Sequence, residues 1–294
     1  MGGEGSSAPT LLTIWGAGGS APTGRGERAR FGGDTVCFEL RREAPGATPL
    51  VIDLGSAARD LGRSLMAEAE AEGRPPRVEV LLSHLHLDHV MGLPFFAPFY
   101  AKGAQVRIRC GLSPDPDHAR QALSIFAAPP YFPVQPMQMC GPVWDVFRPG
   151  HAFEAAGFQV TPIALHHPGG CCGFRIETGQ GAICIIGDHE HGDPQIDAAV
   201  AEAVSGAAVL LYDAAYDDAG YERHRGWGHS TWRKGGGLAE GAGVALPIFH
   251  HHPPELDDDA LDRREAEMRQ VFPHARLARQ GMRIRLGEDG PTLL

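Results

Sequence analysis

The 294-residue sequence has no surplus of positive charge and no long apolar run. Its formal net charge is −10, which argues against the broad basic face that holds nucleic acid electrostatically, so we do not expect a large nucleic acid as a partner. No apolar stretch approaches the ~20 residues of a membrane span, and we expect no membrane association. Residues 1–9 lack the basic start and apolar stretch of a secretory signal, so we expect a flexible N-terminus and a cytoplasmic protein.

Cysteine offers no framework for disulfides. The six cysteines include no C-x-x-C pair, and Cys171 and Cys172 are adjacent. Such spacing predicts reduced, mostly buried thiols, which agrees with a cytoplasmic location.

Short β-rich runs alternate with turns and occasional helix patterns, which is typical of an α/β protein. Ser56 is expected to cap the first helix. No stretch rich in Pro, Gly and Ser divides the chain, so residues 10–294 are predicted to form a single domain. Strands are predicted at 11–15, 36–40, 50–54, 78–82, 106–109, 158–165, 174–177, 182–186, 209–212, 244–249 and 282–286, and helices at 56–72, 117–126 and 256–271.

A group of metal-ligand side chains directly follows the predicted strand at 78–82. His84 and His86 are two residues apart, so in an extended segment both imidazoles point to the same side and can meet one ion. Asp88 and His89 follow where the chain should turn into a helix, and they are expected to point toward a second ion. Imidazole and carboxylate are suitable ligands for zinc, manganese or iron.

This loop resembles the H-x-H-x-D-H signature of the metallo-β-lactamase superfamily, and the later motifs follow in the order that this family has. They are Asp53-Leu54-Gly55-Ser56, His167-Pro168-Gly169-Gly170, Gly187-Asp188-His189-Glu190 and Phe249-His250-His251. The resemblance implies an α/β fold of the metallo-β-lactamase type, a four-layer αββα sandwich.

The resemblance also implies two divalent ions, for which we expect zinc, with manganese or iron as alternatives. The implied ligands are His84, His86 and His167 for one ion, Asp88, His89 and His250 for the other, and Asp188 bridging both. Asp53 would support the loop, a metal-bridging hydroxide would be the nucleophile, and Asp88 would help to orient or deprotonate that water. His167 is preferred to His166 because it precedes Pro168. His250 is preferred because the segment aligns best that way, with His251 as the alternative.

The segment Gly228-His229-Ser230-Thr231, before a predicted helix, resembles the histidine motif of the ribonuclease Z and phosphodiesterase branch. In that branch the histidine lies near the scissile phosphate. His229 is therefore a second candidate catalytic residue, because an imidazole can protonate a leaving oxygen near neutral pH. Its carboxylate partner stays open among Glu190, Asp213 and Glu222.

Resemblance to this branch implies a phosphodiesterase. We expect its substrate to be a small phosphodiester such as a cyclic nucleotide, because we find no Gly/Pro-rich arm of the kind with which tRNA-processing members bind tRNA. The alternatives are a thioester or lactone hydrolase at the same metals, and a non-catalytic metal- or ligand-binding module. Substrate-binding residues are not assigned, although Tyr131 and Phe132 in a Pro-rich loop could stack on a base. The resemblance is also the basis for expecting a homodimer.

Overall fold

The computed structural model describes residues 8–24, 26–135 and 140–294. Residues 1–9 are predicted to be flexible, and residues 1–7 of this segment lie outside the described residues. The strands are β1 Thr10–Gly16, β2 Cys37–Arg42, β3 Leu50–Ile52, β4 Arg77–Leu82, β5 Gln105–Cys110, β6 Val143–Val146, β7 Phe153–Ala155, β8 Phe158–Leu165, β9 Cys171–Glu177, β10 Ala182–Ile186, β11 Val209–Asp213, β12 Leu246–His250, β13 Arg276–Leu277, β14 Arg283–Gly287 and β15 Gly290–Leu293.

Two mixed sheets are built from these strands. One has the order β15-β14-β1-β2-β3-β4-β5-β6, and the other has the order β13-β12-β11-β10-β9-β8-β7. Strands β3 to β6 are parallel in the first sheet, and β10 to β13 are parallel in the second. Parallel neighbours end at the same edge of a sheet, so the loops that follow β3, β4, β10, β11 and β12 can meet.

The helices are α1 Ala58–Ala71, α2 Leu87–Val90, α3 Pro116–Phe126, α4 Pro194–Val204, α5 Asp218–Arg223, α6 Trp232–Gly241 and α7 Asp258–Val271, with 3₁₀ turns at Leu93–Phe95 and Ala97–Tyr100. Of these, α1 and α3 cover the outer face of the first sheet, and α4, α6 and α7 cover that of the second. One buried apolar cluster lies between the sheets, a second lies beneath α1 and α3, and a third lies beneath α4, α6 and α7. Three cores separate four layers, so the predicted αββα sandwich is confirmed.

The expected cap at Ser56 is wrong. The N-cap of α1 is Ala57, which makes no side-chain cap. The Ser56 hydroxyl instead accepts from the Thr35 amide at 3.0 Å and donates to Asp34 at 2.7 Å. Ser56 therefore ties the N-terminal loop to the start of the helix.

Helix α4 was not predicted, although the sequence carries a start signal for it. Asp193 accepts hydrogen bonds from the amides of Gln195 and Ile196, and Pro194 occupies the first turn. An Asp N-cap followed by Pro is a recognised helix start. Among the described residues, no helix has the length and apolar character needed to cross a bilayer.

Candidate metal centre

Asp53 braces the loop that carries the first four metal-ligand candidates. Its carboxylate accepts from the Ser83 amide at 2.7 Å and from the Ser83 hydroxyl at 2.8 Å, and it lies 2.8 Å from His89 Nδ1. Asp53 has a φ of 62°, an uncommon conformation for a non-glycine residue that places the carboxylate under the loop. The hydrogen bond to Nδ1 leaves His89 Nε2 facing the centre, so Asp53 makes the supporting contact expected of it.

His84, His86, His167 and Asp188, here called the first donor group, offer ligand atoms that all lie within 4.8 Å of one another. His167 Nδ1 donates to the Gly228 carbonyl at 2.8 Å, which turns Nε2 toward the centre. That Nε2 lies 3.5 Å from Asp188 Oδ2 and 2.9 Å from His86 Nδ1. His86 is exposed while the other three are buried, so the first donor group opens to solvent on the His86 side.

Asp88, His89, His251 and Asp188 form the second donor group, and all four are buried. His89 Nε2 lies 3.1 Å from Asp188 Oδ1. His251 Nε2 lies 3.4 Å from Asp188 Oδ1 and 3.4 Å from Asp88 Oδ2. Asp188 thus belongs to both groups.

His250, which the sequence favours as the last ligand, belongs to neither donor group, and His251 takes that place in the second. His250 is the last residue of β12, and its ring packs edge-on against Phe38 in the core between the sheets, with centroids 5.1 Å apart. Ile248, two residues earlier, belongs to the same core, as strand alternation requires. The chain then leaves the strand at His251 with a φ of 64°, and this turn brings the His251 ring to the centre.

The residues present fit divalent cations. His84 Nε2, His89 Nε2, His251 Nε2 and Asp188 Oδ1 are buried and have no hydrogen-bond partner among the described residues. A buried polar atom without a partner destabilises the fold by roughly 1–3 kcal/mol, and such atoms are rare. Metal ions would supply partners for these four atoms, which converge with imidazole and carboxylate chemistry.

The electrostatics of the second donor group point the same way. Burial raises the pKa of Asp188, but His251 and His89 outweigh it and hold this pKa well below its usual range. Burial likewise opposes charge on His251, yet Asp188 and Asp88 raise its pKa to about 9. The carboxylates of the second donor group therefore favour positive charge among its members. Protons supply this charge in the absence of metal, and metal ions would replace those protons.

His229 lies beside both groups, and the structure identifies its carboxylate partner as Asp213. His229 Nδ1 donates to Asp213 Oδ2 at 2.8 Å, while Glu222 pairs with Arg225. The His229 ring stacks on His251 with centroids 4.3 Å apart and meets His167 edge-on at 5.3 Å. Asp188, Asp213, His229 and His251 also lie close enough together to form a third potential ligand group.

The family comparison agrees with this geometry. The family model for the "Beta-lactamase superfamily domain" matches residues 50–252, which is more than half of the chain. The chain belongs to the β-lactamase superfamily. Its solved neighbours have the metallo-β-lactamase fold, for example the protein YhfI from Bacillus subtilis, with a TM-score of 0.68, 19% identity, and coverage of 95% of this chain and 99% of that one.

Two further relatives of this superfamily member have named activities. Ribonuclease BN from Erwinia tasmaniensis is 23% identical over 253 residues, which cover 70% of this chain and 81% of the relative. The short form of human tRNase Z superimposes with a TM-score of 0.59 and 19% identity, covering 93% of this chain and 98% of that one.

Glu190 is a residue of the centre that sequence reasoning placed only among the partners of His229. Its two carboxylate oxygens accept from the amides of Gly226 at 2.7 Å and Gly228 at 2.8 Å. Gly228 supplies the carbonyl that orients His167, and a Cβ there would lie 2.1 Å from His167 Nδ1. In this superfamily member Glu190 thus stabilises the loop of Gly226 and Gly228, and this loop orients the metal-ligand candidate His167.

The N-terminal glycine run contributes close backbone contacts to the same centre. The Ser20 amide donates to Asp88 Oδ2 at 2.8 Å. A Cβ on Gly19 would lie 2.1 Å from His251 Nδ1, so only glycine lets the backbone pass this ring. The run Gly16-Ala17-Gly18-Gly19 therefore closes one side of the second donor group through contacts that only the folded structure shows.

Proposed function

We propose that this superfamily member is a binuclear metal-dependent phosphodiesterase acting on a small phosphodiester such as a cyclic nucleotide. The observation that carries the proposal is the His229–Asp213 pair, which stands beside two donor groups that share one carboxylate. A histidine held in this way is suited to protonate a leaving oxygen.

The residues that would hold the ions are the first and second donor groups, with Asp188 common to both. We propose zinc, with manganese or iron as alternatives, because imidazole and carboxylate donors suit all three metals. The ions would supply a water of lowered pKa and positive charge for the phosphoryl oxygens. Asp88 lies in the second donor group and would also orient the attacking water.

His229 would act on the other side of the phosphorus atom. The hydrogen bond from Nδ1 to Asp213 sets the tautomer and orientation of the ring. Asp213 is fully buried, so its charge stabilises the imidazolium with little screening by water. Nε2 is then the atom that would transfer a proton to the leaving oxygen.

The names of two relatives support phosphorus as the atom attacked. Both a ribonuclease and a tRNase cleave phosphodiester bonds in RNA. For this chain we propose a small substrate, because a net charge of −10 disfavours a long polyanion.

The test is a substrate panel on purified, metal-loaded protein with elemental analysis. The panel contains 3′,5′-cyclic nucleotides, bis(p-nitrophenyl) phosphate, a tRNA precursor, a thioester and a lactone. We expect turnover of the small phosphodiesters, and a kcat lower by roughly 10²–10⁴-fold in His229→Ala, with unchanged metal content.

His151→Ala is the matched control, because His151 is an exposed histidine away from the donor groups. Turnover of only the thioester or lactone, insensitive to His229→Ala, would contradict the proposal. Turnover of only the tRNA precursor would refute the small substrate, and bound metal without any turnover would indicate a non-catalytic module.

A further inference from the structure

A cavity of about 570 Å³ is lined in part by His229 and His251. The loop after β11 and helix α5 form much of its wall and contribute Tyr216, Arg223 and His224. Trp227 from the following loop completes this wall. The cavity is therefore continuous with the candidate catalytic histidine.

Three aromatic rings form one connected wall of this cavity. The rings of Tyr216 and His224 stack with centroids 4.8 Å apart and an interplanar angle of 9°. Trp227 meets His224 edge-on at 4.9 Å, and Tyr216 meets His229 edge-on at 6.0 Å. His224 Nδ1 donates to the Gly220 carbonyl at 2.8 Å, which fixes the middle ring. Contacts within the loop therefore fix the three rings. Trp227 nevertheless keeps 61% of its surface exposed, so its ring is accessible to a ligand.

The cavity also presents polar groups whose bonding capacity is unused. Within the part of the chain that the structure describes, Arg223 forms no ion pair and the Tyr216 hydroxyl forms no hydrogen bond. Asp217 and Glu255 lie on the same lining, and Asp217 is engaged in capping α5. An aromatic wall with free donors beside it is suited to a planar ring with polar edges.

We infer that this cavity binds the nucleobase of a nucleoside phosphodiester whose phosphorus atom lies at the donor groups. The inference rests on the proposed phosphodiesterase function and names the part of the substrate that the cavity recognises. A phosphodiester without a ring would gain little from Trp227, Tyr216 and His224. A nucleoside places its base several bonds from the phosphorus atom, which matches a cavity that begins beside His229.

The rings that the sequence suggested for base stacking lie elsewhere. Phe132 packs edge-on against Phe95 with centroids 5.6 Å apart, and 74% of Tyr131 is exposed. Neither residue lines the cavity beside His229. Tyr131 is therefore the matched control, because it is an exposed aromatic side chain of similar size outside the proposed site.

The experiment compares Trp227→Ala, Trp227→Phe and Tyr131→Ala with the wild type on two substrates. One substrate is adenosine 3′,5′-cyclic phosphate, and the other is the same ribose cyclic phosphate without a base. Loss of base stacking in Trp227→Ala should raise KM for the nucleotide roughly 5- to 150-fold with little change in kcat. The base-free substrate should be unaffected, Trp227→Phe should recover most of the loss, and Tyr131→Ala should behave like the wild type.

Calorimetric titration with adenosine and cytidine separates this inference from the proposed function. If no phosphodiester is hydrolysed but a nucleoside binds and Trp227→Ala weakens it, the cavity assignment stands and the phosphodiesterase proposal fails. If both cyclic phosphates are hydrolysed and Trp227→Ala affects them equally or not at all, the phosphodiesterase stands and the cavity assignment fails. A base-specific loss in Tyr131→Ala alone would move the base to the Pro-rich loop and overturn the inference.

Discussion

The two donor groups share Asp188 but differ in how firmly their other members are held. In the second donor group all residues are buried, His89 is bound by Asp53, and Asp88 accepts from the Ser20 amide. In the first donor group His167 is bound by the Gly228 carbonyl, while His86 is exposed. We therefore expect the second group to bind its ion more tightly, because less order is lost on binding.

Under the proposed function, this difference predicts that a substrate reaches the ions from the side of the first donor group. The second donor group is enclosed by the strand ends and the glycine run, whereas the first is open at His86. The aromatic cavity meets the centre at His229 and at His251 of the second donor group. A substrate of the proposed kind would extend from the donor groups to Trp227.

Asp188→Asn should have the largest effect, because one substitution removes the charge that both groups share. We expect both ions and all measurable activity to be lost. Elemental analysis measures the ions, and turnover assays measure the activity. Asp193→Asn is the control, since this half-buried helix cap undergoes the same charge change outside the centre. Retention of both ions in Asp188→Asn would show that the two groups are independent.

His251→Ala and His250→Ala should separate the two adjacent histidines. His251→Ala removes a proposed ligand of the second group, so about one ion per chain should be lost together with activity. His250→Ala leaves a cavity beside Phe38, and it should lower the free energy of unfolding by about 2–5 kcal/mol while the ions stay bound. Chemical denaturation and metal analysis on both variants measure this, and the reverse pattern would restore His250 as the ligand.

Asp213→Asn should lower kcat about 10- to 100-fold through a misoriented His229, with both ions retained. The measurement is kcat, KM and metal content on the same preparation. Because Asp213 also lies within ligand distance of Asp188 and His251, loss of an ion would instead identify Asp213 as a ligand.

Glu190→Gln should have the smallest of these effects. One oxygen remains to accept from the loop amides, so we expect metal affinity of the first donor group to fall roughly 10-fold and that of the second to stay unchanged. Competition with a chromogenic chelator measures both affinities. Glu222→Gln is a suitable control, because Glu222 pairs with Arg225 at the surface. An equal loss in both groups would contradict the separate support that we describe.

The sequence by itself determined the superfamily, the four-layer fold and most members of the two donor groups. The reason is local: H-x-H-x-D-H places four ligands within six residues, and the strands around it have clear apolar patterns. Strands β8 and β10 have the bounds that their sequence pattern predicts. The order of the later motifs then identified His167, Asp188 and His229 as residues of interest.

Only the tertiary structure decided between His250 and His251, assigned Asp213 to His229, and showed the roles of Glu190 and the aromatic cavity. Strand alternation limits which neighbours share a face, but the backbone turns at His251, with a φ of 64°. His250 stays in the core against Phe38, and Gly19 leaves room for the His251 ring. Three acids were equally acceptable partners for His229 in the sequence. Asp213 is the partner because the end of β11 lies beside the His229 loop in space, although 16 residues separate the two along the chain.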